Sequence, residues 1–313
     1  MVPKGLVFGL PESCKKLDAL KQYEMTHWNI FSFTRLLVIA ATVLGLQACI
    51  SIKTETYVPK RGQMGKDVMW LPTSDDLAHE LMKAANVGPN DLLVDLGAGD
   101  GKIPIAAAQS FKASAWGIEY NKDLANLANR NAQRAGVANK VHIVHGDIFK
   151  EDFSKATVVT LYLLEELNLQ LRPTLLAMKP GTRILSNTFS MGDWEPDQVI
   201  RVAKGTGYFW TVPAMAKGVW SISGLEGSGL ATLKLDQVFQ RVGGTIQQNG
   251  KQQNLLGARM DGFDLHFSFV NSEGQLKSVI ARVEGNSLKG EVIGPYGMHD
   301  FQVPPLQIEG RRQ

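Results

Sequence analysis

The chain has 313 residues, a formal charge of +3, 20% charged residues, six His and two Cys. That length accommodates about two domains with a real core, and the near-neutral balance leaves no electrostatic reason to expect a nucleic-acid partner. Cys14 and Cys49 are too few for a disulfide framework or a Cys-rich zinc site, so no metal is implied.

Leu36 to Leu46 is an uncharged, mostly apolar run of 11 residues, preceded by Arg35 and followed by Gln47-Ala48-Cys49. A basic flank, an apolar stretch of this length and a small-residue site fit a signal peptide, and the run is short for a membrane span. A buried or membrane-inserted helix is the competing reading. Leu46-Gln47-Ala48-Cys49 resembles a bacterial lipobox, which implies lipidation at Cys49 and an exported, membrane-anchored protein of the cell envelope. Met25 is a candidate start. From Met25 only Arg35 precedes the run while Lys53, Lys60, Arg61 and Lys66 follow it, which favours a cytoplasmic C-terminal side. From Met1, Lys4, Lys15, Lys16 and Lys21 also precede it, and the preference reverses. The protein is expected in the cytoplasm if the signal is not used.

Residues 1–50 are thus read as an upstream segment and signal, 51–68 as a polar linker, and the fold as beginning near Met69. Leu77, Ala78, Leu81 and Met82 follow a Ser74 or Asp75 cap and predict an amphipathic helix. Leu92 to Leu96 then reads as a buried parallel strand ending beside Asp95. Gly97, Gly99 and Gly101 follow it as a tight turn into a helix with Pro104 in its first turn. A strand, a glycine turn and a helix start make a ligand site. Lys102 occupies the place of the third glycine of a dinucleotide fingerprint, which argues against NAD.

A second strand ends in Glu119 about twenty residues beyond the glycines, the arrangement that binds ribose hydroxyls in nucleoside-binding α/β folds. A helix from Lys122 closes at Gly136. Next, Val141 to Phe149 alternates and carries Asp147 at its end, with His142 and His145 read as strand histidines. Thr157 to Leu164 is a fourth buried strand, and Tyr162 near its end is either an acceptor-orienting group or a core aromatic. Glu165 and Glu166 open the next helix, which ends at Lys179-Pro180-Gly181. Arg183 to Asn187 is the fifth strand, followed by a loop with Trp194 and a closing antiparallel pair, Val199 to Val202 and Tyr208 to Val212.

Asp95-Leu96-Gly97-Ala98-Gly99-Asp100-Gly101 resembles motif I of the class I S-adenosylmethionine-dependent methyltransferases. Gly117-Ile118-Glu119-Tyr120-Asn121 is similar to their motif II, and the Gly146-Asp147 strand end to their third motif. The resemblance implies a Rossmann-like α/β fold with a seven-stranded methyltransferase sheet. It implies S-adenosylmethionine held by Asp95, Gly97, Gly99, Gly101, Glu119 and Asn121, with Asp147 and the Ile148 N–H on the adenine edge. Pro72-Thr73 is similar to a Pro-Thr that precedes the first helix in related enzymes, which implies Thr73 near the methionine end; a helix cap is the bland alternative. The Asn-Pro-Pro-Tyr type motif of amino-group methyltransferases is absent, so no catalytic residue is assigned. The acceptor, a protein amino group or a small molecule, stays open.

The methyltransferase domain is read as 69–215. From Lys217 the pattern changes to period two, with alternating segments at Trp220–Ser223, Ala231–Leu235, Val238–Val242, Phe263–Phe269 and Ser278–Val283, which predicts an antiparallel β domain over 216–313. Two alternatives to a methyltransferase stand: a lipid-anchored, non-catalytic nucleoside-binding protein, and an aminopropyltransferase using Glu165 and Glu166.

Overall fold

The computed structural model describes residues 57–63, 69, 71–225, 229–294 and 305–313. The apolar run, Cys14, Cys49 and both candidate starts lie outside them. Among the described residues no helix is long and apolar enough to cross a membrane. Residues 57–313 form one compact unit holding two sheets.

The first sheet follows a simple logic. Strands β1 (Leu92–Leu96), β2 (Ser114–Glu119), β3 (Val141–His145), β4 (Val158–Leu161) and β5 (Arg183–Asn187) are parallel, and β7 (Gly205–Thr211) runs antiparallel between β5 and β6 (Gln198–Val202). The order is β3-β2-β1-β4-β5-β7-β6. The order reverses between β1 and β4, and in such sheets a crevice opens there at the carboxyl ends of the strands.

Central strands are buried along their whole length, as β4 is, because helices cover both faces. On one face α1 (Asp75–Ala84), α2 (Lys102–Ser110) and α3 (Lys122–Arg134) contribute Leu77, Leu81, Ala107 and Ala128 to a core with Leu93 and Ile143. On the other, Leu171 and Leu175 of α4 (Glu165–Leu176) pack with Val94, Leu161, Trp194 and Trp210. The Ser74 side chain caps α1 as expected, accepting from the Leu77 N–H.

The second sheet corrects the sequence reading in detail. It has nine strands, β8 (Gly218–Ser223), β9 (Ala231–Val238), β10 (Arg241–Gln248), β11 (Lys251–Asn254), β12 (Leu256–Asp261), β13 (Asp264–Val270), β14 (Leu276–Glu284), β15 (Ser287–Ile293) and β16 (Leu306–Arg312). Val238–Val242 is not a strand: it straddles the tight turn from β9 to β10 at Phe239-Gln240, because Phe239 takes a left-handed φ of 54°. The sheet also closes on itself. Strand β10 pairs with both β9 and β12, and β16 pairs with β8, so all strands but β11 form a ring. Trp220, Leu233, Phe267, Phe269, Val279 and Leu288 fill it as a packed core. Gly244 lets the ring bend: a Cβ there would lie 2.0 Å from the Lys234 carbonyl oxygen.

Candidate active site

The glycine turn is built by backbone bonds that tie it to β2. Gly97 and Ala98 N–H groups both donate to Ile118 O, at 2.9 and 3.1 Å, and Gly101 N donates to Ala98 O at 2.9 Å. Gly97 and Gly99 have φ values of 85° and 55°, a left-handed backbone that other residues adopt reluctantly. The Gly99 N–H then donates to Glu119 Oε2 at 2.8 Å, and Asn121 N donates to Glu119 Oε1 at 2.8 Å. A carboxylate has about four acceptor positions, so these bonds leave Glu119 acceptor capacity for ligand hydroxyls.

One pocket gathers most of the residues singled out in the sequence. Thr73, Asp95, Gly97, Gly99, Glu119, Asp147 and Ile148 all line it. Gly101 and Asn121 do not. Gly101 starts α2 with φ 83°, and a Cβ there would meet Ala128 Cβ at 2.9 Å. The Asn121 side chain caps α3 by accepting from Asp123 N and Leu124 N. Gly101 shapes the start of α2, while Asn121 caps α3 and its N–H also holds Glu119.

Three features of the pocket had no signal in the sequence pattern. Leu124, Phe149, Leu163 and Leu167 supply an apolar lining. Lys102, noted only as a missing glycine, donates from Nζ to Thr73 O at 3.1 Å and pairs with Asp75 at 3.0 Å, tying the entry to α1 across the pocket rim. Asn187 at the end of β5 donates to Thr73 Oγ1 at 3.1 Å, so Thr73 is held from two sides.

The electrostatics suit a cationic ligand. Burial pushes the Asp95 carboxyl up to about 7, against the opposing 2.5 Å hydrogen bond from Thr160, and Glu119 and Asp100 nearby push in the same direction. Burial also raises Glu119, opposed by the Asn121 and Gly99 N–H groups. A ligand bearing an ammonium and a sulfonium would relieve this crowding of acids, whereas a pyrophosphate would aggravate it.

The methyltransferase model named for ANTKMT matches residues 95–198 of the chain. A protein-lysine N-methyltransferase of Saccharolobus islandicus is 39% identical over 152 residues, which is 48% of this chain and 90% of that protein. The chain belongs to this family of S-adenosylmethionine-dependent methyltransferases. The adenine nucleotide translocase lysine N-methyltransferase of Mus musculus is 34% identical over 127 residues, and the methyltransferase described here spans 40% of itself and 55% of that relative in the match. A solved structure of an RNA methyltransferase from Salinibacter ruber with S-adenosylhomocysteine is 44% identical, covering 46% of this chain and 95% of that one with a TM-score of 0.46. The cofactor of the methyltransferase is S-adenosylmethionine, and the glycine approach, the paired acceptors of Glu119 and the acid-rich pocket fit it. The aminopropyltransferase and non-catalytic alternatives give way to this reading.

Proposed function

We propose that the protein transfers the sulfonium methyl of S-adenosylmethionine to a lysine side-chain amine of a protein acceptor. The observation that carries this reading is the 39% identity sustained over 90% of a protein-lysine N-methyltransferase. In this reading Glu119 takes the ribose hydroxyls, Asp147 and the Ile148 N–H take the adenine edge, Asp95 faces the cationic end, and Thr73 lies by the methionine portion. The bound group supplies an activated methyl on a good leaving group, so the chain's own work is positioning and exclusion of water. Leu163 and Leu167 give an apolar approach that disfavours a charged ammonium and favours the neutral amine needed for attack. The test is transfer from methyl-labelled S-adenosylmethionine to cellular protein, followed by total hydrolysis. Nε-methyllysine supports the reading; label released by mild alkali, as from a carboxyl ester, or found in nucleic acid would reject it.

We also propose that the protein is exported and lipidated at Cys49. Leu46-Gln47-Ala48-Cys49 at the end of an 11-residue apolar run supports this. Cys49→Ser is expected to leave an unprocessed precursor that takes up no labelled fatty acid. Equal processing of the variant, or a C-terminal reporter protected inside intact spheroplasts, would favour the cytoplasm.

A further inference from the structure

Tyr162 is the first residue after β4, whose last residue, Leu161, pairs with Leu96 at the entry to the glycine turn. It lines the same pocket as Asp95, Gly97 and Glu119. The pocket's other polar side chains are engaged. Asp95 accepts from Thr160, Glu119 from Gly99 and Asn121, Thr73 from Asn187, and Asp100 from the Lys102 N–H. Lys102 binds Thr73 O and Asp75, and Gln63 binds Tyr57 and Lys60. Tyr120 and Asp147 also have partners. The Tyr162 hydroxyl makes no hydrogen bond to another described residue, and Leu71, Leu163 and Leu167 line the same pocket.

We propose that this hydroxyl receives and orients the acceptor amine. The proposal rests on the amine reading given above. A phenol oxygen accepts one N–H of the neutral amine and thereby fixes the direction of its lone pair. The nitrogen lone pair forms the bond to the methyl carbon, the carbon–sulfur bond breaks with its electron pair going to sulfur, and the alkylammonium product loses a proton to water. Tyr162 neither gains nor loses a proton.

The arithmetic of N–H groups makes the proposal testable. A neutral lysine amine has two N–H groups, a monomethylated one has one, and a dimethylated one has none. Tyr162 can therefore orient the first two transfers and has nothing to hold in the third. Wild type and Tyr162→Phe are compared on an Nα-acetylated peptide with one lysine, supplied unmethylated, monomethylated and dimethylated at Nε. The variant is expected to be slower by about tenfold on the first two, as for loss of one hydrogen bond. It should match wild type on the third and bind S-adenosylmethionine with unchanged affinity. Equal rates on all three peptides, or an equal loss on all three, would overturn the role of Tyr162 and leave the amine reading standing. No transfer by the wild type to any of the peptides would overturn the amine reading and the role of Tyr162 together.

Discussion

Gly99 and Glu119, twenty positions apart in the chain, are joined by a 2.8 Å hydrogen bond from the glycine N–H to the carboxylate. The glycine turn and the acid proposed to read the ribose therefore set each other's position. Glu119→Ala removes both the acceptor for hydroxyls and the anchor of the turn. It is expected to weaken S-adenosylmethionine binding by about 1.5–3 kcal/mol, roughly tenfold to more than a hundredfold, while the chain still folds. Calorimetry showing wild-type affinity would remove Glu119 from the ligand site.

Asp95 gives the protein a pH dependence of known sign. Its folded-state pKa of about 7 lies above the ordinary value of 3.8, so between these values the folded state holds a proton that the unfolded state releases. Stability from this group is present in full below the lower value and declines as pH rises towards and through about 7, by up to about 4 kcal/mol. Asp95→Asn should flatten this decline in denaturation curves recorded without ligand from pH 5 to 8. A cationic ligand favours the ionised carboxyl, so S-adenosylmethionine binding near pH 6 should release a proton. Calorimetry in buffers of different ionisation enthalpy measures it, and an identical heat in all buffers would contradict the assignment.

Two glycines of the turn are expected to respond differently. Gly99→Val places a side chain in the space the ligand approaches and should abolish binding. Gly101→Ala puts a Cβ into a left-handed backbone against Ala128 and should lower stability by about 1–3 kcal/mol with ligand affinity largely kept. Thermal melts and calorimetry on the two variants separate these outcomes. Equal loss of affinity in both would show that Gly101 belongs to the ligand surface.

What the sequence made legible follows from how local each signal is. Asp95 and Glu119 lie at the ends of β1 and β2 and Asp147 two residues after β3, and an acid at the end of a strand is a short-range pattern, so their convergence on one pocket could be anticipated. The tie from Asn187 to Thr73 spans 114 positions and leaves no periodic trace. The ring of strands was legible only in part for a similar reason. Strand β11, Lys251–Asn254, has no apolar residue and sits outside the ring, so nothing in its sequence marks it as a strand. At Val238–Val242 the chain reverses within the segment, because Phe239 adopts a positive φ and turns its ring towards the first sheet.

That ring defines a further expectation. Phe239 stacks on Trp194 with centroids 6.0 Å apart, Arg172 lies 5.5 Å over its face, and Gln240 donates to Glu195 O at 2.6 Å. Arg172 and Asn168 in turn hold the loop after β5 through Met191, Phe189 and Ser190 carbonyls. Phe239→Ala is expected to cost about 1–3 kcal/mol of stability and to loosen this loop while leaving the glycine turn intact. Chemical denaturation together with protease cutting in 189–197 checks it, and wild-type values in both would show that the contact contributes nothing.

The pairing of β16 with β8 has a consequence for how the chain is made. Trp220 lies opposite Arg312, whose guanidinium covers the indole at 4.5 Å, so the first and last strands of the second sheet meet only after the whole segment between them has left the ribosome. The first sheet, complete by Thr211, is free to assemble during synthesis, whereas ring closure waits for Leu306–Arg312. Until then β8 and β15 each offer an unpaired edge to neighbouring chains, making this interval of biogenesis the one most exposed to association and most responsive to a chaperone.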